Sequence, residues 1–532
     1  MKALENDIHV ALAILRRHIN SLESPLHRLP LDLFPEIASH LSNETDLVNA
    51  THVSHRLRNA LLSCASLWSH LDLEYAMKAH AFFERSGQTL LYIDMTADPT
   101  QTAGLYAELR QQSKRIAALK LGGWSVQRAF LSEPLPSLRR LETSSHYLQY
   151  GDWDEAWDTY WTPAQGLTEK ATPWSLPSLT SLIIHNLDPI PFCTPHLTRF
   201  KYRDQKNTTG ADNLLSFLGN CLLLEHIDIE SCAKKQDQDG HKLVVSLPNL
   251  RTYTQTTFDE ACPLAVLNGL SLPSFCSIKL IFHSYDKPTT ETHDVPRFEN
   301  PNYLFGIKRI KLGSTCATVE SRVAGTLELI NAKGMRVCSE RLCYEETLLE
   351  DEAENHTCNM AHLDFLRSLD SRSVETLCVD GNASEDRVAA EFLEEALGFT
   401  GVKTLVLSRR ATRLCLPALD EVSSAGGHGQ RFLPIDTLIV YLDPEPGSFC
   451  DLILPLLLGI AQKRKAAGFP FKSVSLFLRG DDLGWDQVSE GFRECIEELE
   501  VVTGDDVLDW DIDKYFLDGL DHLQKNQDVQ WD

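Results

Sequence analysis

A hydrolase or transferase needs a nucleophile beside its base, a metal cluster or a phosphate cradle, and each of these imposes a spacing on the chain. No G-x-S-x-G, H-E-x-x-H or G-x-x-x-x-G-K-S/T phrase occurs in these 532 residues. The glycine-rich stretch from Gly426 to Gln430 lacks the third glycine and the strand-turn-helix setting of a dinucleotide site, and it reads as a loop. None of the 19 histidines pairs at i, i+4 with a carboxylate in a recognisable ligand set. The 14 cysteines include no C-x-x-C, the nearest related spacing being Cys338 and Cys343, so they read as reduced, buried thiols. The expectation is a protein without catalytic residues, metal or cofactor.

The residues able to do chemistry here are binding residues. Trp153, Trp157, Tyr160, Trp161 and Trp174 stand among Asp152, Asp154, Glu155 and Asp158. Aromatics framed by acids grip a basic or methylated protein segment through buried area and cation–π contact. The same aromatics serve equally to pin a long loop onto its scaffold. The acidic run from Tyr344 to Asn355 is either a solvated loop or an attractor for a basic segment.

A formal net charge of −25, with no Lys/Arg block to offset it, repels a phosphate backbone and argues against nucleic acid as partner. The longest apolar run, Leu452 to Ala461, is about half of the roughly 20 residues a bilayer requires and reads as a buried helix, with no membrane role. Glu5, Asp7, Arg16 and Arg17 interrupt the N-terminal apolar pattern, which therefore lacks the h-region of a signal peptide and points to the cytoplasm or nucleus.

The elements that must position such residues announce themselves by repetition. An apolar residue followed three and five positions later by two more recurs as Leu90/Ile93/Met95, Ile116/Leu119/Leu121, Leu179/Leu182/Ile184, Leu197/Phe200/Tyr202 and Leu224/Ile227/Ile229. It continues at Phe275/Ile278/Leu280, Ile307/Ile310/Leu312, Val374/Leu377/Val379, Val402/Leu405/Leu407, Ile435/Leu438/Val440, Phe471/Val474/Leu476 and Ile496/Leu499/Val501. The last two residues of each set share one face of a strand. Leu-Pro-x-Leu phrases introduce several copies, proline closing what precedes. Helix-compatible stretches such as Met77–Gly87, Thr102–Arg115, Asp212–Cys221 and Asp386–Phe399 return the chain for a parallel neighbour. Many intervals fall near 25 to 28 residues, and the phrase resembles the L-x-x-L-x-L of leucine-rich repeats. The fold class expected is therefore α/β, with a parallel sheet in an irregular horseshoe solenoid over residues 75–503. Residues 144–175, 284–305 and 313–373 break the rhythm and are expected to project as loops, while residues 504–532 form an acidic cap or tail.

Ahead of the repeats, Leu4, Ile8, Leu15, Ile19 and Leu22 predict one amphipathic helix over residues 1–23, too short for a coiled coil and expected to pack on its own chain. Over residues 24–74 three short helices are predicted. The first is capped by Asp32 with apolar face Leu33, Ile37 and Leu41; the second runs through Leu47, Ala50, Val53 and Leu57; the third runs through Leu61, Leu62, Leu67, Trp68 and Leu71. So small a unit buries too little apolar surface to stand comfortably alone, which points to a face kept for another protein.

The phrases Leu29-Pro-Leu-Asp-Leu-Phe-Pro-Glu-Ile37, Val53-Ser-His-Arg-Leu-Arg58 and Ser66-Leu-Trp68 resemble the opening, centre and close of an F-box. The resemblance implies docking onto a Skp-type adaptor and, through it, a cullin-RING ubiquitin ligase, with the solenoid holding an unknown protein substrate. Position by position it implies adaptor contacts or their supports at Leu29, Pro30, Leu33, Ile37, Val53, Ser54 and Leu57, and it leaves Trp153, Trp157, Tyr160 and Trp161 as substrate-binding candidates. Leu57 stands where the family commonly has tryptophan. The alternative is a leucine-rich-repeat scaffold with no part in ubiquitin transfer.

Overall fold

The structure is a computed structural model that describes residues 2–23, 29–30, 33–41, 44–95, 103–122, 131, 133–144, 174–186, 192–204, 210–231, 243–257, 265–284, 307–317, 322–331, 336–343, 372–381, 399–408, 412, 415–417, 419–420, 434–442, 449–478 and 485–503. The chain divides into two compact units, residues 1–185 with 191–194, and residues 186–190 with 195–532.

The first unit opens with helices α1 (Lys2–Glu23), α2 (Leu33–Ser39), α3 (Glu44–Val53) and α4 (His55–Ser63) and a 3₁₀ turn at Ala65–Trp68. Strand β1 (His70–Asp72), helix α5 (Ala76–Arg85), β2 (Leu91–Met95), helix α6 (Ala103–Gln111), β3 (Ile116–Gly122), β4 (Arg140–Ser144), β5 (Trp174–Ser175), β6 (Ser181–His185) and β7 (Phe192–Cys193) follow. β1, β2, β3, β4 and β6 pair in that order, all parallel, and β5 pairs with β7. The register lines up Leu71, Ile93, Leu119, Leu141 and Leu182 across five strands, every one buried. Leu90, read from sequence as the lead residue of the first copy, is instead exposed; Leu91 is buried in its place, and a register shift between Leu91 and Tyr92 absorbs the offset.

The second unit carries β8 (Arg199–Asp204), α7 (Ala211–Leu218), β9 (His226–Ser231), β10 (Val245–Ser246), β11 (Thr252–Thr257), α8 (Ala265–Asn268), β12 (Leu270–Ser271), β13 (Ser277–Ser284), β14 (Ile307–Ala317), β15 (Arg322–Asn331), β16 (Arg336–Cys343), β17 (Thr376–Gly381), β18 (Thr404–Ser408), β19 (Thr437–Leu442), α9 (Phe449–Ala466), β20 (Ser473–Leu478), α10 (Trp485–Cys495) and β21 (Glu498–Thr503). Phe200, Ile227, Tyr253 and Ile278 form one apolar rung, and Leu377, Leu405, Leu438 and Val474 form another. The expected buried helix at Leu452–Ala461 lies within α9, where Ile453, Leu454, Leu457, Ile460 and Ala461 are all buried.

The Leu-Pro-x-Leu phrases are hydrogen-bonded turns. The N–H of Leu138, Leu179 and Leu250 donates to the carbonyl of Leu135, Leu176 and Leu247, at 3.2, 3.2 and 3.3 Å. In each the fourth residue is driven into the core. The third residue ties its turn to the one before: Ser137 Oγ donates to the Lys114 carbonyl at 2.6 Å, Ser178 Oγ to Pro136 at 2.7 Å, and Asn249 Nδ2 to Leu222 at 3.1 Å. These bonds satisfy carbonyls that lie beyond the strand ladder. Before β13 the same turn closes from Cys276 N–H to the Pro273 carbonyl at 3.1 Å, so Cys276 goes inside and Phe275, the residue the repeat template selected, faces out. Burial pushes the Cys276 thiol far up and that of Cys415 up to about 12, which makes both poor nucleophiles.

Turn-on-turn stacking also explains Gly401, in the turn before β18. A methyl there would run into the Arg372 carbonyl oxygen and lie 2.8 Å from that of Val374. Backbone cannot give way as a side-chain end can, so Gly401→Ala is expected to destabilise the second unit by roughly 2–3 kcal/mol, read as a lowered urea midpoint.

Residues 313–373 correct the sequence expectation of a projecting loop. Residues 313–317, 322–331 and 336–343 lie inside the sheet, in a β14–β15–β16 meander, while residues 344–371, with 145–173 and 285–306, fall outside the described residues. β16 pairs parallel with β13, β14 pairs parallel with β17, and β15 runs antiparallel between them. Three strands reverse direction twice, so the parallel sense is restored on the far side. The apolar rung passes through unbroken as Ile278, Val337, Leu329, Ile310 and Leu377.

The second face of the strands changes along the chain. In the first unit it carries an ion-pair ladder, Lys120 Nζ lying 3.3 Å from Asp94 and 3.9 Å from Glu142, with His185 Nε2 3.7 Å from Glu142. On β8 and β9 of the second unit Lys201 pairs with Asp228, and Arg203 pairs with Glu230 at 2.8 Å. From β18 to β20 the corresponding residues Val406, Ile439, Tyr441 and Phe477 are apolar and buried, so those strands are covered on both faces.

At the start of β9, His226 is buried, its Nδ1 2.9 Å from Thr252 Oγ1. Burial, reinforced by Arg199 and Arg251 and opposed by Glu225, holds its imidazole below the usual value near 6.5. The unfolded chain therefore binds the proton more readily, and stability present above about pH 6.5 is lost as pH falls through the lower folded value. His226→Gln is expected to flatten that part of the pH dependence, measured as urea midpoints at about pH 7.5 and about pH 5.

Candidate docking site

The helical module at the N-terminus is built around Phe34 and Ala38 on α2, Leu47 and Thr51 on α3, and Ala60 and Leu61 on α4, all buried. α4 packs on both α2 and α3. Its start is set by Ser54, whose extended backbone (φ −152°, ψ 155°) stops α3 and whose Oγ accepts the Leu57 N–H at 3.1 Å. The apolar series Leu47, Ala50, Val53, Leu57 is therefore split between two helices, correcting the single helix expected from sequence. The third predicted helix is likewise divided: α4 ends at Ser63, Ala65–Trp68 is a 3₁₀ turn, and Leu71 belongs to β1.

Trp68 joins this module to the sheet. It is fully buried, its Nε1–H donates to the Leu61 carbonyl at 2.9 Å, and its ring meets Phe82 of α5 edge-on with centroids 4.9 Å apart. The Arg85 guanidinium lies 4.7 Å over the same ring, and Lys78 of α5 pairs with Glu44 of α3 at 2.5 Å.

The seven sequence-selected residues separate by exposure. Leu29 is half-buried and its carbonyl accepts the Arg56 guanidinium at 2.8 Å, while that guanidinium also sits 5.8 Å over the Phe34 ring. Ser54 and Leu57 are half-buried, Ser54 as the helix cap. Pro30 is exposed, and its carbonyl accepts the Leu33 N–H at 3.2 Å. Leu33, Ile37 and Val53 are open to solvent at 42%, 49% and 62%, and Leu41, just past the end of α2, is exposed as well.

α2 is consequently apolar on two sides. Phe34 and Ala38, four apart, face the module's own core; Leu33 and Ile37, also four apart, are exposed beside them. An amphipathic helix needs one apolar side to fold against its own chain. The second side leaves large aliphatic groups wet, a cost that burial against another protein removes at about 25 cal/mol per Å².

The candidate substrate residues Trp153, Trp157, Tyr160 and Trp161 lie outside the described residues. Trp174, from the same aromatic group, is placed in β5, its ring 5.2 Å from that of Phe192. Among the described residues no group of three or more His, Cys, Asp or Glu is arranged to hold a metal ion, and no helix is long and apolar enough to cross a membrane. Sequence reasoning missed Arg56, whose spacing to Leu29 and Phe34 carries no local periodic signal.

No curated protein matches the chain. Residues 26–74 match the family described as F-box-like, the same segment that α2, α3, α4, the 3₁₀ turn and β1 occupy, so an F-box-like domain stands at this position.

Proposed function

We propose that this protein is the substrate-recognition subunit of a Skp-cullin-F-box type ubiquitin ligase. Residues 24–74 dock a Skp-type adaptor, with Leu33, Ile37, Val53 and Pro30 as contacts and Leu29, Ser54 and Leu57 as their supports. The repeating turn-strand units over residues 75–503 form a leucine-rich-repeat-like solenoid that holds a protein substrate. The chain contributes recognition and no covalent chemistry, and it works in the cytoplasm or nucleus.

The second apolar side of α2, Leu33 with Ile37, exposed while Phe34 and Ala38 fill the core, is the observation that carries this reading. The parallel register through turns of one geometry supports the repeat architecture. The test is co-purification of the full chain with a Skp-type adaptor. A stable complex that disappears in Leu33→Asp is expected; a folded chain that never retains the adaptor overturns the reading and leaves the scaffold alternative.

A further inference from the structure

Helix α1 spans about 33 Å at 1.5 Å per residue and departs from the sequence expectation that it packs on its own chain. Every described side chain from Asp7 to Ile19 is exposed, including Ile8, Leu12, Leu15 and Ile19. In proteins most of a helix's stability comes from a packed apolar side rather than from intrinsic propensity. The described residues supply no such cover.

The spacing of these four residues identifies the cover. Ile8, Leu12, Leu15 and Ile19 fall at intervals of four, three and four, a series that reads the same from either end. An antiparallel copy therefore sets Ile8 level with the second copy's Ile19 and Leu12 level with its Leu15, all four layers closing under one two-fold axis. Charge selects the same direction. Asp7 lies in the first half and Arg16 in the second. A parallel pair would set like on like. In the antiparallel pair Asp7 and His18, which share one flank, come within a turn of each other's counterparts twice by symmetry, the His18 ring N–H able to donate to the Asp7 carboxylate, and the opposed helix dipoles add to the preference. On the other flank Arg16 comes beside the second copy's His9, a ring nitrogen able to accept its N–H.

We propose that this chain forms a two-fold dimer through antiparallel pairing of α1. Two helices of this length bury on the order of 1,000 Å², at the low end of specific interfaces, so the dimer is concentration-dependent rather than permanent. Because α1 precedes the F-box-like domain, the dimer leaves one such domain on each copy, and the inference stands whether or not that domain binds an adaptor.

Sedimentation velocity of the full chain from about 1 to 100 µM is the test. A monomer–dimer equilibrium is expected, with Leu12→Glu/Leu15→Glu monomeric throughout; both residues are exposed, so the fold tolerates the change. Asp7→Arg is expected to weaken the dimer about five- to ten-fold, and Asp7→Arg with His18→Glu to recover most of it. A wild-type chain that stays monomeric, or a Leu12→Glu/Leu15→Glu chain that dimerises as tightly as wild type, overturns the proposal. So does a monomer that floats with anionic phospholipid vesicles through α1, which would make the helix a membrane-surface element instead.

Discussion

Ile37→Asp and Val53→Asp, each made in the full chain, are expected to abolish adaptor retention while leaving the thermal transition within about 1 °C of wild type. Both side chains are largely open to solvent, at 49% and 62%, whereas Phe34, Leu47 and Leu61 form the buried core. A carboxylate placed there costs the free protein little, because surface substitutions usually fall within about 0.5 kcal/mol. Buried against an apolar partner, the same carboxylate costs several kcal/mol unless it finds a donor, so a loss of at least about 100-fold in affinity is the expected result. Phe34→Ala is the contrasting variant. It removes a buried ring on the inner side of α2, together with the Arg56 stack, and lowers stability first, with binding falling only as far as the module unfolds. A titration separating the two classes, affinity lost at constant stability against both lost together, discriminates a docking surface from a structural one.

Trp68→Ala is expected to produce the largest loss of stability in the first unit, roughly 3–5 kcal/mol, the range for emptying a buried aromatic site. Three interactions go at once: the Nε1–H bond to the Leu61 carbonyl, the edge-on contact with Phe82 and the Arg85 guanidinium above the ring. Because those partners belong to α4 and α5, the change loosens the helical module from the first strand–helix repeat instead of opening a local void. Limited proteolysis should then cut between residues 63 and 76 in Trp68→Ala and spare wild type. Trp68→Phe keeps most of the apolar area and loses only the N–H bond, so a penalty of about 1–2 kcal/mol is expected and the proteolytic pattern should stay closed. Equal sensitivity of both variants would mean that the hydrogen bond, not the packing, holds the junction.

The parts of the architecture that sequence reading captured are those written in local periodicity. Leu119 with Leu121, and Leu182 with Ile184, are two apart because a strand turns its side chains every second residue, and each is buried. The Leu-Pro-x-Leu turns were legible for the same reason, proline and the buried fourth residue being local demands. Within the β14–β15–β16 meander, β14 was legible as the copy Ile307/Ile310/Leu312, whereas β15 and β16 escaped because they lack the lead residue that the repeat template required, although Leu327 and Leu329 on β15 stand two apart and are both buried. The choice between Phe275 and Cys276 escaped because a turn hydrogen bond, not hydrophobicity, decides which of two adjacent residues enters the core.

By itself the sequence determined that helices return the chain after β1, β2 and β8, that a small helical module precedes the strands, and that Leu33 and Ile37 share one side of the first short helix in that module. Tertiary structure decided which apolar side is spent internally. Leu33 and Phe34 are equally hydrophobic neighbours, and only the packing of α4, with Arg56 reaching over Phe34 to the Leu29 carbonyl, turns Phe34 inward and leaves Leu33 wet. The same holds for α1, whose pattern reads alike for a helix folded onto its own chain and for one awaiting another. Periodicity records that a side chain must be buried, whereas the identity of the burying surface is a property of contacts between residues far apart in the chain.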